Sequence, residues 1–241
     1  MNIAIIFAGG VGQRMNAKAL PKQFLEVHGK PVIIYTLEHF ENHPDIDHII
    51  VVCVEGWIDY LQSLLKKFYI TKVSAIVPGG DTGQHSIRNG IYKAAELYPE
   101  DSIVLIHDGV RPLITAQIIT DCIDTVKKHG NAITVSRAIE TIVISSTDQR
   151  EDVADVVDRS RCMMARAPQC FVLRDIYAAH KKMDETGYTN IIDSAMLMRE
   201  FGMTLHTVEG VPENIKITTP ADFYMFRALL DARENSQIIG M

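Results

Sequence analysis

The stretch "IAIIFAGGVGQRM", residues 3 to 15, joins an apolar run to a glycine-rich loop. Residues 3–7 carry no charge, which is typical of a parallel strand buried on both faces. Three glycines follow within four residues, and such clusters indicate that another group approaches the backbone closely. Arg14 stands just beyond them and indicates that this group is anionic, since a guanidinium pairs with phosphates and carboxylates. The stretch predicts an anion-binding loop at the end of a central strand.

The rest of the first half alternates apolar runs with amphipathic helical patterns. The expected strands are residues 3–7, 48–54, 73–77 and 102–106. Helices are expected over residues 57–68 and 118–126, the second with Thr115 as N-cap. This alternation predicts an α/β fold, Rossmann-like, with a mostly parallel sheet and helices on both faces. Ligands of such sheets bind beyond the carboxyl ends of the strands, and three loops should form that crevice: residues 8–22, 79–86 and 107–112.

The pattern changes after about residue 137. Two short strand-like segments joined by polar residues predict a projecting β-arm over approximately residues 138–160. The expected later elements are helices over 173–183 and 191–201, strands over 204–209 and 215–218, and a last helix with Thr219 as N-cap and Pro220 at its first position. No linker or internal repeat interrupts the sequence, so we expect a single domain, residues 1–241, that carries the arm.

Composition excludes several classes of protein. The net charge of −6 argues against a general nucleic-acid binder, which needs a basic surface to contact phosphates. No apolar run approaches the ~18 residues of a membrane-spanning helix, so we expect no membrane partner. The four cysteines show no CxxC spacing, and the sequence begins without the charged segment of a signal peptide, which predicts a cytoplasmic protein with reduced thiols. The histidines form no pair at zinc-ligand spacing.

Three cations follow the first loop closely, Arg14, Lys18 and Lys22. Together with backbone N–H groups they can neutralise a triphosphate, and the alternative is a solvated loop with surface lysines. The loop lacks the Walker A pattern. It also fails the dinucleotide fingerprint, because Met15 stands where the third glycine belongs.

Two further stretches lie at predicted strand ends. In "PGGDTGQHS", residues 78–86, glycines allow a flat base to approach while Asp81 and Ser86 offer polar groups; the alternative is a turn with Ser86 capping the next helix. In "LIHDGVRP", residues 105–112, Asp108 and Arg111 suit a metal–phosphate site, since Mg²⁺ prefers one or two carboxylates plus phosphate oxygens. The alternative there is an Asp108–Arg111 ion pair that closes a turn.

In their order, the motifs A-G-G-x-G-x-R-M, P-K-Q, G-G-D, H-D-x-x-R-P and N-I-K-I-T-T-P resemble one family, from residue 3 to about residue 230. The chain is similar to the cytidylyltransferases that activate polyol phosphates. One branch makes CDP-methylerythritol for isoprenoid synthesis, and the other makes CDP-ribitol for teichoic acids and other cell-surface polymers. "AGG" and the valine of "HDGVRP" are more typical of the ribitol branch. The resemblance therefore implies a Mg²⁺-dependent reaction of CTP with D-ribitol 5-phosphate, with 2-C-methyl-D-erythritol 4-phosphate as the alternative substrate.

The resemblance also implies roles for individual residues. The catalytic cations acting on the CTP phosphates would be Arg14, Lys22 and Lys216. The groups around the cytosine would be Ala8, Gly9, Gly10, Gly80, Asp81 and Ser86. Asp108 would bind Mg²⁺, and the second substrate would be held by Arg111, Thr141 and Arg159. In this family the arm reaches into a partner subunit, which implies a homodimer.

Three positions depart from the family pattern, Gly83 for arginine, Ala167 for threonine and Gly109 for alanine. The first bears on base recognition or loop rigidity and the second on the second substrate.

Other classes of protein stay open as well. A nicotinamide-dependent oxidoreductase would need the missing third glycine, and a non-catalytic nucleotide-binding protein would be expected to have lost Lys22, Asp108 or Lys216. A nucleotidyltransferase that uses UTP or GTP is the remaining alternative.

Overall fold

A computed structural model of the chain describes residues 1–9, 20–149, 151–187 and 191–239, except the side chains of residues 236–239. The described strands are β1 (Asn2–Ala8), β2 (Glu26–Val27), β3 (Lys30–Pro31), β4 (His48–Cys53), β5 (Val73–Pro78), β6 (Ile103–Asp108), β7 (Asn131–Arg137), β8 (Ile142–Ser145), β9 (Val153–Val157), β10 (Met163–Val172) and β11 (Thr207–Glu209). The described α-helices are α1 (Val32–Glu41), α2 (Ile58–Lys67), α3 (Gly83–Leu97), α4 (Ala116–His129), α5 (Leu173–Thr186), α6 (Ser194–Glu200) and α7 (Pro220–Ile239).

Seven strands form the central sheet, in the order β11-β7-β10-β6-β1-β4-β5. β1 pairs in parallel with β4 and β6, β4 with β5, and β7 with β11. Within the described sheet, the reversed strand is β10, which runs antiparallel to both β6 and β7. The predicted mostly parallel sheet is confirmed.

Alternation along β1 sends its side chains to two different helical layers. Ile3 and Ile5 pack in a core with residues of α3, α5 and α6. Ala4 and Ile6 pack on the opposite face with residues of α1, α2 and α4. All four are fully buried, and each large apolar side chain removed from water stabilises the fold by ~1.5–3 kcal/mol. The predicted helices on both faces are therefore confirmed.

Gly90 lets α3 approach the sheet closely. A Cβ at this position would lie 2.5 Å from Ile5 Cγ2 and 2.9 Å from Val52 Cγ2. A side chain here would push the helix away from β1 and β4. The glycine therefore helps to hold the loop before α3 next to the end of β1.

The predicted elements of the first half agree with the structure to within two residues at most boundaries, and Thr115 caps α4 by accepting a hydrogen bond from the Ile118 amide. Later boundaries agree less well. The helix expected over residues 191–201 begins only at Ser194, because the Asp193 side chain caps it there. The strand expected over 204–209 begins at Thr207.

The prediction of a strand over residues 215–218 is wrong. This segment lies beside the loop after β6, where the Ile217 amide donates to the Val110 carbonyl at 2.9 Å, but it has no strand pairing. The apolar residues that suggested a strand serve instead to anchor a loop, and Ile217 is fully buried. No bounds were predicted for the helices α1 and α3 or for the four strands β2, β3, β7 and β10.

The predicted arm hairpin is confirmed in its strands, since β8 and β9 pair antiparallel in a separate two-stranded sheet. Its apolar side chains are largely exposed. Val143 and Ile144 are each 51% exposed, and Val153 and Val156 are each 59% exposed. Within the described chain, the arm therefore leaves an apolar surface unburied.

The last helix begins as predicted. Pro220 is its first residue, and the Thr219 hydroxyl accepts a hydrogen bond from the Asp222 amide at 3.3 Å. The Asp222 carboxylate accepts in return from the Thr218 and Thr219 amides, which secures the preceding loop. Neither α7 nor any other described helix combines the length and the apolar character that crossing a membrane requires.

Candidate active site

A cleft of about 680 Å³ opens at the carboxyl ends of β1, β4, β5 and β6. The described parts of all three predicted loops reach it. The predicted site residues that line it are Ala8, Gly9, Lys22, Gly80, Asp81, Ser86, Asp108 and Lys216. Gly10 and Arg14 lie outside the described residues. The crevice predicted from the strand-end rule thus receives most of the predicted residues whose placement is described.

Asp108 is the central charged group of the cleft. It ends β6, opposite Phe7 of β1, and is 5% exposed. Its Oδ1 lies 2.6 Å from Lys216 Nζ, and its Oδ2 accepts a hydrogen bond from Arg111 Nε at 2.7 Å. Burial alone would raise the pKa of Asp108, but the charges of Lys216 and Arg111 outweigh it and hold the pKa below its usual value. The carboxylate is therefore ionised at neutral pH.

Two contacts position Lys216 although it lies in a segment without regular structure. The neighbouring Ile217 amide bonds to the Val110 carbonyl, and the Asn214 carbonyl accepts from Arg111 Nη1 at 3.0 Å. These bonds tie the segment to the loop that follows β6. The Lys216 side chain is 40% exposed, and its Nζ lies 5.7 Å from the centre of the Phe7 ring. The ammonium is thus held by Asp108 while remaining open to the cleft.

Arg111 forms the ion pair with Asp108 that the sequence offered as an alternative to a metal–phosphate site. Its amide bonds to the Asp108 carbonyl at 3.1 Å, so the pair does close a turn. The guanidinium is buried, and Arg111 is not among the described residues that line the main cleft. Within this turn His107 is also buried, and burial lowers its pKa to about 4, which keeps the imidazole neutral at physiological pH.

The glycines of two loops touch each other at one wall of the cleft. A Cβ on Gly79 would lie 3.1 Å from the Gly9 Cα, and a Cβ on Gly9 would lie 2.8 Å from the Ser86 Oγ. The close approach predicted for this region is therefore met in part by the protein itself. The loop after β1 packs on the loop after β5 across the end of β4.

Ser86 organises this contact from within the loop. Its hydroxyl accepts a hydrogen bond from the Gly80 amide and donates to the Thr82 carbonyl, both at 3.0 Å. The suggestion that Ser86 caps the following helix is wrong, because the cap is Thr82, whose hydroxyl accepts from the His85 amide. Asp81, in the same turn, is exposed and lines the cleft.

Lys22 begins a short 3-10 helix, Lys22–Phe24, on another wall of the cleft. The next residue, Gln23, is 1% exposed and donates from Nε2 to the Ala8 carbonyl at 2.7 Å. This bond links the end of β1 to the segment that carries Lys22. Gln23 had no assigned role in the sequence, although it belongs to the P-K-Q motif.

A second cavity of about 260 Å³ adjoins the cleft, and both are lined by Phe7, Gly83, Asp108 and Lys216. Its remaining polar lining consists of Arg111, Arg166, Gln169, Asp193 and Ser194. Arg166 and Asp193 were not singled out from the sequence. For Arg166 the only available signal was its place directly before the A-P-Q segment, where this chain departs from the family pattern; Asp193 lies far from that segment in sequence and gave no such signal.

Thr141 and Arg159 are not brought to either cavity of their own chain. Both are exposed at the base of the arm, and Arg159 Nη1 donates to the Ile139 carbonyl at 2.7 Å. Neither residue therefore belongs to the described lining of the cleft or of the second cavity.

Residues 2–232 match the family model described as "IspD: 2-C-methyl-D-erythritol 4-phosphate cytidylyltransferase". A curated relative from Vibrio parahaemolyticus, named ribitol-5-phosphate cytidylyltransferase, is 54% identical over the full length of both chains. A relative from Clostridium botulinum, named 2-C-methyl-D-erythritol 4-phosphate cytidylyltransferase, is 35% identical over 95% of this chain and 97% of its own. The crystal structure of 4-diphosphocytidyl-2C-methyl-D-erythritol synthase from Anaerococcus prevotii superposes with a TM-score of 0.81 at 29% identity, covering 95% of this chain and 96% of that one.

Proposed function

The chain belongs to the IspD family of cytidylyltransferases, and on that premise we propose that it converts CTP and D-ribitol 5-phosphate into CDP-ribitol and pyrophosphate. The observation that carries the choice of ribitol is the similarity to full-length relatives with that activity in their names. Relatives of this name from Vibrio parahaemolyticus and Streptococcus agalactiae are 53–54% identical to this chain, and one from Lacticaseibacillus paracasei is 38% identical, whereas the relative from Clostridium botulinum named for methylerythritol phosphate is 35% identical. The resemblance noted in the sequence is confirmed at the level of the family.

In the proposed reaction the nucleophile is a phosphate oxygen of the polyol phosphate. It forms a bond to the α-phosphorus of CTP while the bond from that phosphorus to the bridging oxygen breaks, and pyrophosphate leaves. The phosphate has a second pKa near ~6 and is already largely ionised at neutral pH, so no general base is needed. The main barrier is the repulsion between two anions, and catalysis then depends on positioning and on fixed positive charge.

Lys22 and Lys216 are the described cations that suit this task. Both line the cleft, and Asp108 holds the ammonium of Lys216 at 2.6 Å. A cation placed before the substrates arrive stabilises the transition state without further reorganisation, which is the most effective use of charge in an active site. The proposed role of Arg14 as a third cation remains a prediction.

We also propose that Asp108 contributes to a Mg²⁺ site, and its surroundings fit that role. Mg²⁺ needs only one or two protein carboxylates when nucleotide phosphates supply further oxygens. Asp108 is ionised and lies at the wall shared by both cavities. Lys216 bonds its Oδ1 and Arg111 its Oδ2, and each oxygen keeps a second lone pair that a metal ion could use. Bound Mg²⁺ would neutralise phosphate charge, while Lys216 stays within reach of the same phosphates.

The proposed enzyme is a homodimer in which the arm of each subunit serves the other. Three features support this. Thr141 and Arg159 do not line their own chain's cleft, the arm exposes apolar side chains on both strands, and Arg159 stays exposed. Pairing with a second subunit would cover the apolar surface and deliver a guanidinium to the second anion. The expected cytoplasmic location stays a prediction.

The second candidate substrate is 2-C-methyl-D-erythritol 4-phosphate, favoured by the name of the matching family model. The two candidates separate in a pyrophosphate-release assay with CTP and ribitol 5-, methylerythritol 4-, glycerol 3- or ribulose 5-phosphate as acceptor. We expect ribitol 5-phosphate to have the highest kcat/KM, and UTP or GTP to replace CTP poorly. Mass spectrometry of the product would confirm CDP-ribitol. A higher kcat/KM with methylerythritol phosphate would refute the ribitol assignment.

A further inference from the structure

Arg166 lies in β10, beside Ala167, and lines the second cavity. It is half-buried, and its Nε donates to the Ser136 hydroxyl at 3.0 Å. Among the described residues no carboxylate pairs with its guanidinium. The remaining N–H donors of this side chain are thus without an acidic partner in a partly desolvated position.

The described lining of this cavity carries more positive than negative charge, and Arg166 supplies the excess. Three cations line it, Arg111, Arg166 and Lys216, against two carboxylates, Asp108 and Asp193. Asp108 is bonded to both Arg111 and Lys216. The Asp193 carboxylate accepts from the Met196 amide and from the Gln169 amide group, both at 2.8 Å.

This arrangement costs free energy in the absence of a bound anion. Burial and the nearby charge of Arg111 both lower the pKa of Arg166, but a guanidinium remains protonated in proteins. A desolvated charge without a counter-ion is unfavourable, whereas the same charge binds a phosphate strongly when one enters. The cavity therefore has the character of an anion site.

We propose that Arg166 binds the phosphate group of the second substrate, from within the same chain that binds the nucleotide. The proposal rests on the proposed function, because it assumes a phosphorylated acceptor. Asp108 and Lys216 line both cavities, so an anion held at Arg166 lies next to the cleft where the nucleotide phosphates are expected. Ala167, in place of the family's threonine, offers no hydroxyl, which leaves the arginine as the polar contact at this point of β10.

The test compares Arg166→Gln and Arg166→Lys with Arg227→Gln, a matched change at an exposed arginine of α7. Initial rates give KM for ribitol 5-phosphate and for CTP separately. We expect Arg166→Gln to raise KM for ribitol 5-phosphate at least about tenfold, since it removes a charge-assisted contact. Arg166→Lys should be intermediate, because a lysine cannot hold a phosphate through two parallel hydrogen bonds. KM for CTP should stay within about twofold in all three variants.

A second measurement does not depend on the identity of the polyol. Millimolar inorganic phosphate should raise the Tm of the wild type and of Arg227→Gln, and should raise that of Arg166→Gln less, since only a ligand bound to the native state stabilises it. Without phosphate the Tm of Arg166→Gln should be equal to that of the wild type or higher. A lower Tm with unchanged KM values would show a structural role and overturn the proposal.

The remaining outcomes separate this inference from the proposed function. If the wild type turns over ribitol 5-phosphate and Arg166→Gln keeps the same KM for it, the function holds and the role of Arg166 is refuted. If the wild type fails with ribitol 5-phosphate but phosphate stabilises it through Arg166, the substrate assignment fails and the anion site stands. A raised KM with an unchanged phosphate-induced Tm shift would refute the phosphate contact itself.

Discussion

The cleft and the arm of this protein differ in how their side chains are held. In and beside the cleft, Asp108, Gln23 and Arg111 are buried, and each has close polar partners within the chain. On the arm the apolar side chains of β8 and β9 are mostly exposed. Among the described residues, the guanidinium of nearby Arg159 donates a hydrogen bond to the backbone carbonyl of Ile139. These described cleft residues thus have their polar partners within one chain, whereas the apolar side chains of the arm remain uncovered.

This difference suggests that the charges of the cleft are fixed within each chain, whereas the charge on the arm is supplied by one subunit to another. The cleft has its charges in place before a ligand arrives, which favours electrostatic catalysis. In the proposed homodimer the arm contributes to the site of the other subunit. Substitutions in the two regions should therefore differ in their effects on stability, on turnover and on subunit assembly.

The largest effect is expected for Asp108→Asn. The change leaves buried Arg111 without its counter-charge, and breaking a buried pair in this way costs ~3–5 kcal/mol of unfolding free energy. It also releases Lys216, so kcat should fall at least about 10²-fold. Urea unfolding and steady-state kinetics measure the two effects. The control is Asp124→Asn, which removes an exposed i,i+3 ion pair and should change neither the unfolding free energy nor kcat. If Asp108→Asn changed these two quantities no more than the control does, the buried-pair interpretation would be contradicted.

Asp108 also predicts the direction of acid sensitivity. Its folded-state pKa is depressed, so its contribution to stability is present above the unfolded pKa of ~3.9 and is lost as the pH falls through the lower folded value. The wild type should therefore lose unfolding free energy steeply below about pH 4. Asp108→Asn should show a shallower loss over the same range. Parallel pH profiles of the two proteins would argue against this linkage.

The next effect is on turnover alone. Lys22→Ala should lower kcat by about 10²-fold or more, because it removes a charge expected to act on the transition state. Its Tm should change little, since Lys22 is only half-buried. Lys66→Ala, at an exposed position of α2, is the matched control. Near-normal turnover of Lys22→Ala would remove this lysine from the mechanism.

The arm is tested by mixing two inactive variants. Arg159→Ala and Lys22→Ala should complement each other if the arm serves the neighbouring subunit, because a heterodimer then contains one intact site. Subunit exchange at equal concentrations places about half of the chains in heterodimers, so about a quarter of wild-type activity should return for independent sites in symmetric dimers. Native mass spectrometry verifies exchange. Exchange without recovered activity would show that each site is built within one chain.

The smallest effect is expected for Gly9→Ala. The new Cβ would lie 2.8 Å from Ser86 Oγ, which must move and weaken its bond to the Gly80 amide. We expect KM for CTP to rise about 3- to 10-fold, equivalent to roughly 1 kcal/mol of binding free energy. Gly56→Ala is the control, since a Cβ there meets no atom within 4 Å. An unchanged KM in Gly9→Ala would mean that the glycine contact does not shape the nucleotide site.

The central strands could be predicted because β1, β4 and β6 are buried on both faces and read as uninterrupted apolar runs. The strand-end rule then located the cleft from chain order alone. β10 could not be found in this way, because exposed Met163, half-buried Arg166 and buried Gln169 share one strand and its pairing with β7 shifts register between Ala165 and Gln169. Such a strand has neither alternation nor a continuous apolar run.

The site was predictable only where its residues lie close to strand ends in sequence. Hydrogen bonds between distant segments, such as Gln23 to Ala8 or Arg111 to Asn214, could not be predicted, because they depend on which loops become neighbours in the fold. Residues 215–218 illustrate the same limit, since their apolar character indicates burial but not the kind of segment. The role of Lys216 came from the family resemblance and not from the pattern.

The side-chain-free wall formed by Gly79 and Gly80 has a consequence for inhibition and resistance. A Cβ on Gly79 would lie 3.1 Å from the backbone of Gly9, and one on Gly80 would collide with His85. Any substitution at either position therefore disturbs the loop itself before it disturbs a ligand. An inhibitor whose fit depends on this flat surface would leave the protein few single-residue changes by which to escape it.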